Sequence, residues 1–299
     1  MMLDNNWYGH RYILSEFCEL KDSHSFSSIQ HGWSPEYNAG NIKKRKYPIY
    51  PFLCWSNKVK RQLDLKGIQN VVDIGAPYLY LCKLVNKKNL KPSGTIYYPS
   101  HNTITIKDVI TNDLEVIEKI ESLFEPPFTV SIYYADANKN NVDSFLKRGW
   151  NVEVSGQRNN KKTLYKIHDN LTKHKNVVLT EISTIMFYAL YNKKKVRLIK
   201  NNKSGNIQDT RENISNNYIQ YEQKFIKKYP DILNTFLDID TGFEIAKEEL
   251  GFSSMKSKAD LKKILGWSSK LKKIIALIIS KLFDLKYGKK VRTGSEEIK

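Results

Sequence analysis

Apolar and polar positions divide the chain into a regular middle and two less patterned flanks. From Tyr47 to Lys200, short apolar runs rich in Val, Ile and aromatic residues alternate with helix-length amphipathic segments. That alternation is the pattern of repeated βαβ units around a parallel sheet. Strands are predicted at 48–55, 70–76, 94–101 and 128–134, from 152, at 176–181 and at 195–200. The helices between them carry their own signals. Ser56 can cap a helix reaching Lys66, and Pro77 can open one without losing a needed N–H. Asn112 and Asp113 can cap a helix with Leu114, Ile117, Ile120 and Leu123 on one face, which Pro126-Pro127 ends. A helix at 142–150, a run ending near Lys175 and the apolar run Ile185–Tyr191 complete the series. The expected fold class is α/β, a doubly wound and mostly parallel sheet over 47–200.

The flanks read differently. Residues 1–46 show no clear period before His31-Gly32-Trp33. Asn, Lys, Ser and Gly dominate 201–211, which reads as a linker. Residues 212–268 read as helical, with capping-box spacing between Thr241 and Glu244 and Gly251 as a C-cap. At 269–292 a basic amphipathic helix is expected, with Leu271, Ile274, Ile275, Ile278, Leu282 and Leu285 on one stripe beside many lysines. Its uninterrupted apolar stretch is too short to span a bilayer but suits the interface of an anionic leaflet; packing against the α/β domain is the alternative.

Composition narrows the partners. With 299 residues and 40% hydrophobic content the chain can bury a proper core as one large domain or two modest ones. Its net charge of +18 implies a polyanionic partner: nucleic acid, an anionic membrane surface or a phosphate-bearing substrate. The basic runs at 43–46, 193–195 and 289–292 are scattered and not interleaved with aromatics, so nucleic acid is not the expected partner. Cys18, Cys54 and Cys82 show neither disulfide nor metal-ligand spacing, no signal peptide is visible, and no apolar run is long enough to span. A cytoplasmic setting is expected, with no metal or other resident cofactor implied.

Ligands of doubly wound sheets lie beyond the carboxyl ends of the strands. That rim collects Gly75, Ser100, His101, Tyr134, Asp136, Gly156, Arg158, Glu181, Ser183 and Thr184. Ser183 and Thr184 open a helix, where uncapped N–H groups and the helix dipole favour an anion; the plainer reading is that they only cap it. Arg158 suits a bidentate phosphate contact, although a surface arginine reads nearly as well. The combination points to a small anionic ligand, a nucleotide.

The segment Lys175–Val196, with Glu181 and the Ser183-Thr184 pair before an apolar helix, resembles the donor-site segment of GT-B glycosyltransferases and the CDP-glycerol glycerophosphotransferase group. His31-Gly32, Ile74-Gly75-Ala76-Pro77 and Tyr97-Tyr98-Pro99-Ser100 resemble further elements of those enzymes. The sequence departs from them where Tyr134-Ala135-Asp136 replaces a His-Pro pair, and its first Rossmann-like half is short. The resemblance implies a GT-B-like fold with a truncated first half: an acceptor-side segment at 1–46, a nucleotide-sugar-binding domain at 47–200 and a helical C-terminal region. It implies a transferase of surface polysaccharide biosynthesis, taking a nucleotide-sugar or CDP-polyol donor and a glycan acceptor, lipid-linked ones included, at the inner face of the cytoplasmic membrane.

His31, His101 and Asp136 are then the candidates for catalysis, and Gly75, Tyr134, Gly156, Arg158, Glu181, Ser183 and Thr184 for donor binding. Histidine titrates near neutral pH and can take the proton of an attacking hydroxyl, although His31 also reads as a hydrogen-bonded loop histidine. Glu181 can hold a ribose or sugar hydroxyl, or bond a backbone N–H at the helix start. Two other classes compete: a basic nucleic-acid-binding protein, and a non-catalytic membrane scaffold of the same fold.

Overall fold

A computed structural model describes residues 7–37, 42, 50–85, 91–101, 111, 113–155, 159–200 and 212–269, together with Ile274, Ile275 and Ile278. The fold is α/β, and every strand pairing among the described residues is parallel. Strands β1 (Ser28–Ile29), β2 (Phe52–Cys54) and β3 (Val71–Asp73) form one sheet in the order β1-β2-β3. Strands β4 (Thr95–Tyr98), β5 (Phe128–Tyr133), β6 (Asn151–Ser155), β7 (Asn176–Leu179) and β8 (Lys195–Leu198) form a second, in the order β6-β5-β4-β7-β8. The chain therefore winds outward from β4 to β6, then returns to the other side of β4, and the strand order reverses between β4 and β7.

The single sheet expected over 47–200 is thus two. β2 pairs with β1 on one side and β3 on the other, and β1 lies in the flank where the sequence shows no period. A two-residue strand is too short to display an alternation of faces, and nothing local tells a parallel strand which neighbour it will find.

The connecting helices are α1 (His10–Phe17), α2 (Asn57–Leu65), α3 (Pro77–Leu84), α4 (Leu114–Leu123), α5 (Lys139–Leu146), α6 (Thr163–Lys173) and α7 (Thr184–Tyr191). Beyond residue 211 come α8 (Glu212–Lys228), α9 (Asp231–Asn234), α10 (Ile239–Glu249) and α11 (Lys258–Ile264). Local chemistry sets several boundaries. The Ser56 hydroxyl accepts from the Val59 N–H, and the Asp113 carboxylate from the Glu115 N–H. At α10 the cap is Asp238, which accepts from the Thr241 N–H, so the helix begins before the expected Thr241 cap. Gly251, after α10, adopts φ 71°, and a Cβ there would lie 2.0 Å from the Trp55 carbonyl oxygen.

Helix α7 explains why its sequence is apolar on every side. Met186, Phe187, Tyr188, Ala189 and Leu190 are all buried, because the helix lies within the core rather than on it. One continuous core joins Leu53, Trp55 and Ile74 of the first lobe to Ile96, Leu179 and Val196 of the second through α7. The Tyr78 and Tyr188 rings stack at 3.9 Å across it. Burying each such side chain contributes about 1.5–3 kcal/mol. The C-terminal helices pack back onto this layer, and Gly242 of α10 meets α7 so closely that a Cβ would lie 2.7 Å from Leu190 Cδ2.

A candidate active site at the strand-order reversal

Where adjacent strands of a doubly wound sheet send their connections to opposite faces, a crevice opens beyond their carboxyl ends. Here that crevice is a cavity of about 300 Å³ beyond β4 and β7. The first lobe contributes Tyr8, His31, Gly32 and Trp33; the second contributes Tyr98, His101, Tyr133, Glu181, Ser183 and Thr184. The turn at residues 31–33 and the α7 start, with Trp33 and Thr184 151 residues apart in sequence, therefore meet at one space.

The contact between them is direct. Thr184 Oγ1 accepts a 2.9 Å hydrogen bond from the Trp33 N–H, and a Cβ on Gly32 would lie only 3.1 Å from the same oxygen. The turn is held from behind by the buried Gln30, whose Nε2 donates to the Gly32 carbonyl at 2.9 Å and whose Oε1 accepts from the Trp55 N–H at 2.8 Å. His31 stacks on Tyr8 with ring centroids 5.1 Å apart and meets Trp7 edge-on at 4.2 Å. Ser183 occupies the cap position of α7 with extended backbone but makes no capping hydrogen bond, contrary to the expectation that the Ser-Thr pair caps this helix. The Thr184 oxygen accepts from the opposite lobe, and its O–H can still donate. The α7 start thus keeps uncapped N–H groups beside two hydroxyls, a setting suited to an anion.

Glu181 lies on the cavity wall. Burial raises its carboxyl above the ordinary range, nearby Glu222 raises it further, and Lys200 and the Ser100 hydroxyl oppose them. Around it, Ser100 and Thr180 share a 2.6 Å hydroxyl contact, Lys200 pairs with Glu222 at 2.5 Å, and the Tyr218 hydroxyl donates to the Ile182 carbonyl at 2.6 Å. Helix α8 thereby closes the back of the crevice.

Of the remaining candidates among the described residues, His101 joins the lining and the others do not. His101 lines the cavity, its ring 4.5 Å from Tyr133; protein crowded around the imidazole lowers its pKa, and the Asp136 carboxylate opposes that. Asp136 itself is buried outside the lining. Tyr134 is exposed and packs on Tyr133, which takes the wall position in its place, because the strand ends at Tyr133 and the chain then turns away. Gly75 lies away from the cavity. At φ 78° it turns the chain from β3 into α3, and Met255 and the Gly251 carbonyl crowd it, a Cβ lying 3.0 Å from Met255 Cγ. Gly156 and Arg158 lie outside the described residues, as does most of the expected helix at 269–292.

Three participants are not evident in the sequence. Trp33 carries the interlobe hydrogen bond, Gln30 backs the turn, and Tyr98 lines the cavity with a buried hydroxyl that has no hydrogen-bond partner among the described residues. Only the neighbourhood of His31-Gly32 could have pointed to the first two. Tyr98 stands in the Tyr97-Tyr98-Pro99-Ser100 element that the resemblance singles out, but nothing in the sequence marks its hydroxyl for the site.

No protein-family model matches the chain, and no curated protein matches its sequence. Solved structures with a similar fold include a protein described as a UDP-N-acetylglucosamine 2-epimerase from Listeria monocytogenes, at 12% identity and TM-score 0.43 over 75% of this chain and 62% of that one. They include S. aureus MnaA in complex with UDP, at 11% identity and TM-score 0.43 over 80% of this chain and 68% of that one. The wall teichoic acid polymerase TagF follows at 11% identity and TM-score 0.41 over the same shares. The chain spans less than two thirds of the first structure's length. With TM-scores below 0.5 these likenesses carry no residue correspondence to the cavity.

Proposed function

We propose that this protein is a GT-B-type glycosyltransferase of surface polysaccharide synthesis, moving a sugar or polyol phosphate from a nucleotide-activated donor to a glycan acceptor. One observation carries the reading: the hydrogen bond from the Trp33 N–H to Thr184 Oγ1, which sets His31 of one lobe against the uncapped start of α7 in the other. In this reading the α7 start, with Ser183 and the Thr184 hydroxyl, receives donor phosphate. Arg158 supplies the countercharge. Glu181 holds a hydroxyl of the donor. His31 takes the proton of the attacking acceptor hydroxyl, with His101 and Asp136 next in line. The reaction is then a displacement at the activated carbon or phosphorus: the acceptor oxygen forms the new bond and the nucleotide leaves with the old one.

The test is a panel of UDP, CDP, CMP and GDP scored by thermal stabilisation, since a nucleotide that binds only the folded state raises its apparent stability. Stabilisation by one of them, lost in Ser183→Ala, is expected. A panel in which none shifts the melting temperature removes the nucleotide donor and with it this reading. The proposal extends to an anionic membrane surface contacted through 270–292, supported by the exposure of Ile274, Ile275 and Ile278 among many lysines. Removing residues 269–299 should abolish sedimentation with anionic vesicles at low salt; equal sedimentation of the truncated protein sinks the membrane contact.

A further inference from the structure

One carboxylate just outside the cavity lining gathers the parts that frame it. Glu249, the last residue of α10, has a side chain only 10% exposed and accepts three hydrogen bonds from three different elements. Trp33 Nε1 donates to its Oε2 at 2.8 Å, Lys58 Nζ of α2 to its Oε1 at 2.6 Å, and the Tyr221 hydroxyl of α8 to the same Oε1 at 3.1 Å. Phe187 and Tyr221 also pack against the Trp33 indole, their tilted rings centred 4.7 Å and 5.1 Å away.

Trp33 is therefore held at both ends, its backbone N–H by Thr184 and its indole N–H by Glu249. His31 stands two residues earlier on the same turn. A buried carboxylate sharing three donors, one of them a lysine ammonium, is costly to leave unpaired and makes charge-assisted bonds stronger than neutral ones. Its removal frees Trp33 to rotate between Phe187 and Tyr221, and the turn loses its outer anchor. Among the described residues lining the cavity, Trp33 is the one hydrogen-bonded to Glu249, so the influence of Glu249 on the site passes through Trp33.

We propose that Glu249 is the positioning residue of the His31-Gly32-Trp33 turn, fixing His31 across the cleft by anchoring the Trp33 indole to the C-terminal helices. The catalytic meaning of this anchor rests on the proposed role of His31; the anchoring itself does not. The C-terminal region is, on this account, part of the reacting apparatus rather than a cover for the core.

The anchor can be read without knowing the donor. In full-length protein with isotope-labelled histidine side chains, the His31 imidazole signal is identified by its loss in His31→Gln. Its position is sensitive to small displacements because Tyr8 and Trp7 lie against the ring. Glu249→Ala should shift and broaden the His31 signal while the signals of the other five histidines stay in place. Glu249→Gln, which keeps an acceptor for the indole, should restore it in large part, and Glu248→Ala, on the exposed side of α10, should leave it unmoved. Should Glu249→Ala fail to fold, Glu249→Leu, which fills a similar volume and offers the indole no acceptor, must produce the same shift. A His31 signal coinciding with wild type in the folded variant overturns the proposal. Once a donor is known, Glu249→Ala should lower kcat about 10- to 100-fold with nucleotide affinity unchanged. If instead His31→Ala transfers at full rate while the His31 signal still depends on Glu249, the anchor stands and the assignment of His31 falls.

Discussion

Two strand-to-helix turns in this molecule occupy equivalent places in the strand-helix pattern and end differently. After β3, Gly75-Ala76-Pro77 leads into α3; after β7, Glu181 to Thr184 leads into α7. Both lie at the carboxyl end of a parallel strand, and both open a helix whose first turn has no side-chain cap. The first is plugged. Its Gly75 N–H donates to the Trp55 carbonyl and its Ala76 N–H to the Leu250 carbonyl, each at 2.8 Å, and Met255 packs over the glycine. The second faces a cavity into which the first lobe presents Tyr8 and the turn from His31 to Trp33. A parallel strand end is therefore a site only where no other segment packs over the helix start; here Met255 and the Leu250 carbonyl close one end, while α8 bonds Ile182 at the other and leaves it facing the cavity.

The comparison can be broken most forcefully at the open end. His31→Ala should slow transfer by about two to four decades, the usual span for loss of a general base, while nucleotide affinity changes little. Transfer at wild-type speed would hand that role to His101 or Asp136. The next effect in size is Ser183→Ala, which should weaken nucleotide binding by about one to two decades, since one hydrogen bond to a charged group contributes about 1.5–3 kcal/mol. Thr184→Val is the less clean probe, because it also releases the Trp33 N–H; it should depress transfer as well as binding. Unchanged affinity in both variants, measured by calorimetry, would move the phosphate elsewhere.

At the plugged end the expectation is reversed. Gly75→Ala places a Cβ in a left-handed backbone and against Met255, so it should cost about 1–2 kcal/mol of stability, read as a lower urea midpoint. Nucleotide affinity of the folded variant should match wild type; a selective loss of binding would return Gly75 to the site.

The smallest effect concerns pH. Burial raises the Glu181 carboxyl in the folded state, so the fold holds this proton more tightly than the unfolded chain does. Stability from this group is present below the ordinary carboxyl range and is lost as pH rises through it towards the raised value. Glu181→Gln removes that loss, and its urea midpoint should gain on wild type between pH 4 and pH 7. A difference that stays flat across that range would mean Glu181 is not held against burial and Glu222.

Much of the architecture was legible locally. Ser56, Pro77 and Asp113 mark helix starts by their chemistry, and the alternating apolar runs at β4 to β8 mark strands by period, because both signals act over a few residues. The all-round apolar α7 announced its own burial. His31, Glu181, Ser183 and Thr184 could be singled out by residue type and position, and the fold brings these four to one cavity.

What only the tertiary structure decided is how distant segments meet. No local pattern assigns β2 and β3 to a sheet with the two-residue β1 rather than with β4, since parallel pairing is chosen by long-range contacts. Nor does the chain announce that Met255 and Leu250 close the turn at Gly75, or that Tyr133 rather than Tyr134 reaches the wall. Glu249 reads as one more charged residue on an amphipathic helix. It becomes an anchor only because folding brings Trp33, Lys58 and Tyr221 to it from positions 28 to 216 residues away, where burial makes each of those hydrogen bonds costly to lose.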